Sequence, residues 1–384
     1  MYDLETILEY IKEEDIKFIR LAFVDIYGNV KNISVMPHEL KRVFENGITI
    51  NANAICGFGV KKKSDLLLYP DPKTISLLPW RPSQGRVIRM KCDIKYPDGT
   101  SFECDSRTIL RDAIEYAKDN DVSFNFGSEI EFYLFKLDDA GNPTKIPYDI
   151  AGYMDVYPDD LCENVRRNIC LTLEEMGVIP ESSHHEEGPA QNEVDFRYSE
   201  AFKAAEQAVT FKSVVRTVAN VNGLCADFSP KPLTNKPGNG FHINFSTTDT
   251  KKLDSAIAGV LDHILEMTAF LNRTEESYKR LGSNEAPKYV NYGEEDRDAL
   301  IRIPAAKGEY IRAELRSPDP LLNPYIAYAL IIRAAVDGIK RGLKLNNNEL
   351  KELPKSFDEA KKLALESDFI KNSLPEVLIT NYLK

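Results

Sequence analysis

The stretch Gly127-Ser128-Glu129-Ile130-Glu131-Phe132-Tyr133-Leu134-Phe135 alternates charge with apolar bulk. Side chains along a strand point to opposite faces in turn. Glu129 and Glu131 therefore share one face, and Ile130 and Phe132 share the other. Two neighbouring carboxylates repel, so their face needs a cation or water beside it. A solvent-facing strand fits these nine residues equally well.

Other segments repeat the pattern. In Ile311–Arg316 the spacing projects Arg312, Glu314 and Arg316 from one side of a strand. Guanidinium forks match phosphate and carboxylate oxygens, and a carboxylate between them is a candidate ligand for a hard divalent cation. In SSHHEEGPAQNEVDF, Glu186 ends a polar cluster and Glu193 opens a strand, with a Gly-Pro turn that allows both acids to reach one place. His184 and His185 are adjacent, so at most one of them faces a given site. In GNGFHINFS, Gly238 and Gly240 permit close approach to a ligand, and His242, Asn244 and Ser246 share a strand face. Arg280 precedes a Gly-containing loop that carries Glu285, and Arg297 and Arg302 follow. With Arg312 and Arg316 they can clamp several phosphate and carboxylate groups. Each segment alone also fits a solvated surface.

The flanking pattern sets the architecture. Asp3 to about Asp15 has helical spacing, and two strand-like runs surround a hairpin signal at Tyr27-Gly28-Asn29. LLLYPDP and RVIRMKCDIKYPDGTSF add strands, so residues 1–104 read as a small β-rich domain. From residue 105 helices alternate with polar-faced strands. Helices are expected over 106–119, 161–176, 200–220, 252–272, 323–341 and 357–368, and strands at GSEIEFYLF, NEVDFRY, FHINFS and RAELR. Residues 105–384 therefore read as a second, catalytic-looking domain. The chain is α+β, with a curved sheet, helices outside it and a polar concave face.

Composition narrows the function. Among 384 residues, 60 acids outweigh 49 Lys and Arg, for a net charge of −11. That argues against nucleic acid or an anionic membrane as the main partner. No apolar run approaches the roughly 18 residues of a membrane span. The start lacks the marks of a signal peptide. The six cysteines form no C-x-x-C pair, so a reduced cytoplasm is the expected setting.

Taken in order, these segments resemble glutamine synthetase of the bacterial and archaeal type, from about residue 17 to about residue 345. GSEIEFYLF is similar to the family's first metal strand. AGYMDVYPDDLCENVRRNICLTLEEMGV, SSHHEEGPAQNEVDFRY, KPLTNKPGNGFHINFS, SYKRLGSNEAPKYV, LIRIPAAKGEYIRAELRSPDP and NPYIAYALIIRAAVDGIK complete the match. The resemblance implies a β-grasp first domain, a catalytic domain with a curved antiparallel sheet, and sites between neighbouring subunits of a homo-oligomeric ring. It implies ATP as co-substrate and Mg²⁺ or Mn²⁺, with Glu131, Glu186 and Glu193 on the ion near glutamate. Glu129, His242 and Glu314 would hold the ion at the ATP phosphates. Five carboxylates and one imidazole suit these cations better than zinc. It further implies glutamate binding by Arg280, Arg316 and Gly238, and phosphate binding by Arg297, Arg302 and Arg312. Ser246, Tyr198 and Asn244 would lie by the nucleotide, with Glu285 on a closing flap.

The departures concern the amine. The family's first domain carries F-D-G-S-S-I and lends its Asp to the neighbouring ammonium site. Here ENGITINANAICGF places Asn51 at the Asp and Ala54 at the second Ser. Asn cannot take a proton near neutral pH. Tyr153 and Glu186, the other ammonium-side positions, remain. The glutamate-activating half is thus expected intact, and the acceptor is expected to be an amine other than ammonia. An ordinary ammonia-using enzyme and a non-catalytic relative are the alternatives. Pro237 replaces a usual Asn, the Arg280–Glu285 loop is one residue shorter, and NNNELKELP lacks the family's modifiable tyrosine.

Overall fold

The computed structural model describes residues 4–59, 64–347 and 350–384. Asp3, expected to open the first helix, and Asn348 and Glu349 of NNNELKELP lie outside the described residues. The chain divides into two compact units. One comprises Met1–Ile109, Glu174–Gly177 and Pro375–Lys384, the other Leu110–Leu173 and Val178–Leu374.

The smaller unit is built on a six-stranded sheet. Its main path runs Val30–Val35, Ile16–Val24, Arg86–Lys95, Asp65–Pro70, Ile48–Asn51, and Ser76–Leu77 pairs beside Arg86–Lys95. Ile16–Val24 and Arg86–Lys95 run parallel at its centre, and the other pairs are antiparallel, which is a β-grasp arrangement. Ile19, Leu21, Ile88 and Met90 are fully buried on it. The C-terminal helix Glu376–Tyr382 belongs to this unit. The Tyr382 ring lies 5.2 Å from that of Tyr27, whose hydroxyl donates to the Asn381 carbonyl.

The larger unit is a nine-stranded sheet curled over helices. Its main path runs Tyr292–Glu294, Ile301–Ile303, Ala313–Leu315, Phe241–Thr247, Phe124–Leu137, Gln191–Glu200, Pro180–His185. The strands that carry the acids are antiparallel, and one parallel pair closes the edge. Alternation decides the two faces. Ile130, Phe132, Val194, Phe241, Ile243 and Phe245 are buried against helices, and Phe126 stacks on Tyr328 at 4.4 Å. Helices Leu253–Leu271 and Pro324–Arg341 pack unusually close, because a Cβ on Gly259 would lie 2.2 Å from the Ala334 carbonyl oxygen. Asn323 caps the second helix by accepting from Tyr325 N, and Gly342 ends it with φ 62°.

Several local expectations change. The RAELR strand shrinks to Ala313–Leu315. The helix expected over 357–368 breaks after Glu366, because Ser367 accepts from Ile370 N and caps a new helix, Asp368–Ser373. The polar cluster PESSHH, residues 180–185, is a strand paired with Gln191–Glu200. Its polar composition hid it, and cross-strand pairing formed it.

Candidate active site

Strand register collects the acids. Glu193 lies opposite Glu131, and Asp195 opposite Glu129. On the other side His242 lies opposite Glu129, Asn244 opposite Glu314, and Glu314 opposite Arg302. The period of two keeps all of these on the concave face. All of them but the buried Glu314 border two cavities that share Glu129 and Asp195. One, about 370 Å³, is lined by Glu129, Glu131, Glu186, Glu193, His242, Tyr153, Gly238 and the cations Arg280, Arg297, Arg302 and Arg316, with Glu285 at its edge. The other, about 210 Å³, is lined by Tyr198, Asn244, Ser246 and Arg312.

Hydrogen bonds fix the acids individually. Glu131 Oε2 accepts from Gly240 N at 2.8 Å and from Gln191 Nε2 at 3.1 Å. Glu186 Oε1 lies 2.7 Å from His184 Nε2. Glu314, 1% exposed, accepts from Arg302 at 2.8 Å and Arg316 at 2.5 Å. The two guanidiniums that grip it are therefore Arg302 and Arg316, not Arg312 and Arg316. The strand ends at Leu315, and Arg312 instead turns to the smaller cavity, donating to Asn244 Oδ1 at 2.8 Å. Arg280 is buried and spends two donors on the carbonyls of Ser317 and Arg316. A Cβ on Gly238 would meet the Pro230 carbonyl oxygen at 2.3 Å, and one on Gly240 would meet His242 Nε2 at 2.5 Å. Only glycine admits this approach.

Charge and burial work against each other here. Burial, then the Glu186 charge, raises the Glu131 carboxyl to about 7. Burial and the neighbouring Asp195 and Glu129 charges raise Glu193 well above the usual carboxylate range. Asp195 rises to about 6 through burial and Glu129. Burial, then Arg316, lowers His242 to about 3. A neutral imidazole among repelling acids has the chemistry of a ligand set for a divalent cation. His242 Nδ1 stands 3.4 Å from Glu129 and 3.7 Å from Glu314, and Nε2 stands 3.8 Å from Glu131.

Glu285 is half exposed, 3.5 Å from the Arg316 guanidinium. Tyr153 meets the His184 ring edge-on at 5.4 Å. Asn51 and Ala54 lie in the smaller unit and line neither cavity. Among the residues of the larger cavity that escaped the sequence reading are Gln191 and Asp195 on the strand of Glu193. They stand two before and two after Glu193, so the same period of two could have found them.

Residues 15–97 match the family described as glutamine synthetase, beta-Grasp domain, and residues 103–384 match glutamine synthetase, catalytic domain. The chain belongs to the glutamine synthetase family. It is an ATP-dependent C–N ligase of that type. The glutamine synthetase of Methanosarcina mazei is 41% identical over 99% of this chain and 92% of its own length. That of Clostridium saccharobutylicum is 40% identical over 99% and 93%. A solved structure described as a GmaS/ADP complex is similar with a TM-score of 0.89 at 26% identity, covering 100% of this chain and 94% of that one. Plasmodium falciparum glutamine synthetase shares the fold, with a TM-score of 0.91 at 21% identity over 100% and 95%. Glutamine synthetases use ATP and divalent cations, which suits the joined cavities and the acidic wall.

Proposed function

We propose that this glutamine synthetase relative activates the γ-carboxylate of glutamate with ATP and amidates it with an amine other than ammonia. The observation that carries the first half is the sheet register that sets Glu129, Glu131, Glu193, Asp195 and neutral His242 around one cavity, where Glu186 and four arginines join them. The residues fit Mg²⁺ or Mn²⁺, hard cations that take carboxylate oxygens. Glu131, Glu186 and Glu193 would hold one ion, and Glu129, His242 and Glu314 the other. Carboxylate oxygens carry spare lone pairs, so Glu314 can keep its arginines. When bound, the cations neutralise charge on the transferring phosphoryl group.

Tyr198, Ser246, Asn244 and Arg312 would seat the nucleotide, and the ADP complex of a structural neighbour supports that reading. Arg280, Arg316 and the Gly238 turn would orient glutamate. Its γ-carboxylate oxygen attacks the γ-phosphorus, and the bond to ADP breaks. Arg297 and Arg302 stabilise charge on the phosphoryl oxygens. The amine nitrogen then attacks the acyl carbon, phosphate leaves, and Glu186 accepts the proton beside Tyr153. Glu285 would close over the acyl phosphate and exclude water.

The acceptor follows from Asn51 and Ala54. Asn51 carries no charge, and its Oδ1 accepts from Asn53 N at 3.1 Å, which engages its acceptor locally. Complete sites would form between subunits of a ring, in the cytoplasm. A second reading, an ordinary glutamate–ammonia ligase, is favoured by curated relatives named glutamine synthetase at about 40% identity. Phosphate release with ATP, Mg²⁺ and glutamate across ammonium, methylamine, ethylamine, ethanolamine, putrescine and spermidine separates the two. A larger amine that outruns ammonium, with the amide confirmed by mass, supports our proposal. Preference for ammonium assigns the second reading.

A further inference from the structure

We infer that His185 and Asp149 form a positioning pair that fixes Glu186 and Tyr153 on the acceptor side of the site. The inference rests on the proposed amidation. His184 lines the cavity, whereas His185, the next residue, points the other way and is fully buried. It touches no reacting position. Its Nδ1 lies 2.6 Å from the Glu186 carbonyl oxygen, and its Nε2 lies 3.0 Å from Asp149 Oδ1.

One ring proton of this arrangement is fixed. A carbonyl only accepts, so Nδ1–H donates to Glu186. Asp149 Oδ1 also accepts from Ala190 N at 2.9 Å, and Oδ2 accepts from Leu161 N at 3.1 Å. One imidazole–carboxyl pair thus ties together three segments, around residues 149, 161 and 185–190. Ala190 has φ +56°, a left-handed conformation that costs a non-glycine residue about 1 kcal/mol or more. Its N–H is held by Asp149 and its carbonyl by Asn192 Nδ2 at 2.9 Å. Asn192 in turn accepts from Arg166 at 2.6 Å, and Arg166 pairs with Asp160. The network therefore holds a strained turn between Glu186 and Glu193.

The same residue anchors the opposite wall. Met154 N donates to the His185 carbonyl at 3.0 Å, next to Tyr153. Tyr153 packs edge-on against His184, which bonds Glu186. An apolar residue at 185 would keep its backbone carbonyl for Met154 N but lose both imidazole hydrogen bonds, freeing the Glu186 carbonyl and Asp149.

The test uses the full-length enzyme and steady-state kinetics for each substrate. Outer partners of site residues are typically worth about 10–100-fold. His185→Gln can reach Glu186 or Asp149 but not both. It should raise the KM for the amine about tenfold or more and leave the KM for ATP within about twofold. Asp149→Ala should do the same. Asp149→Asn keeps a polar amide beside Ala190 and His185 and gives up only the Leu161 bond, and should restore the amine KM to within about threefold of the parent. Amine KM unchanged in both disruptive variants overturns the inference, as does an equal loss for every substrate with no rescue by Asn. If His185→Gln does not fold, Asp149→Ala against Asp149→Asn decides. If the parent enzyme turns over no amine, the proposed function has failed instead.

Discussion

Asn244 donates from Nδ2 to Glu129 Oε1 at 2.7 Å, across the wall where the two cavities meet. Its own Oδ1 takes the Arg312 guanidinium. A single neutral amide thus couples an acid of the proposed metal-ligand set to a cation of the proposed nucleotide cavity.

Asn244→Ala breaks both bonds. Hydrogen bonds to charged groups contribute about 1.5–3 kcal/mol, which corresponds to about 10–100-fold. The KM for ATP should rise by that factor while the KM for glutamate changes little. Initial-rate kinetics with each substrate varied in turn would check this; an unchanged ATP KM rules out the coupling.

Glu131 predicts a pH-dependent stability of the metal-free protein. Burial lifts its folded pKa from 4.5 to about 7. Between those values the folded state binds more protons than the unfolded one, so stability falls as pH rises. Melting in EDTA should therefore drop between about pH 4.5 and 7 more steeply for the parent than for Glu131→Gln. Mg²⁺ should reverse the drop in the parent only. Parallel melting curves would remove the argument. The same variant should lose about 100-fold or more of activity.

Arg302 and Arg316 together balance buried Glu314. Arg302→Ala leaves one of them. Loss of a hydrogen bond to a charged group should cost about 1.5–3 kcal/mol of stability, read by urea unfolding. A mid-point shift below the error of the measurement would show that solvent replaces the guanidinium.

Gly259 and Gly338 set the distance between two core helices. A Cβ on Gly338 would lie 2.2 Å from the Ser255 carbonyl oxygen. Gly338→Ala should destabilise by about 1–3 kcal/mol through forced separation, without a specific effect on any KM.

Asn51→Asp introduces the charge that the resemblance implies for an ammonium site. If the acceptor proposal is right, this single change should lower the KM for ammonium by about tenfold, since a close charge contributes on the order of 1.4 kcal/mol or more. No change in ammonium use, with the protein folded, would detach Asn51 from acceptor choice.

The sequence by itself determined the faces. Alternation in GSEIEFYLF, NEVDFRY and FHINFS put Glu129, Glu131, Glu193, His242 and Asn244 on polar sides of strands, because side-chain direction is a local property of an extended backbone. Helices with clear apolar periodicity and local caps were legible for the same reason, Pro324–Arg341 among them. Tertiary structure decided the rest. Register, an interaction between distant segments, set His242 opposite Glu129 and Glu314 opposite Arg302. It also made a strand of polar PESSHH, drew Asp195 into both cavities and sent Arg312 away from Glu314. The C-terminal helix joined the N-terminal unit through Tyr27 and Tyr382, 355 positions apart, a contact that no local pattern encodes. Local periodicity fixes where a side chain points; only the folded chain fixes what it meets.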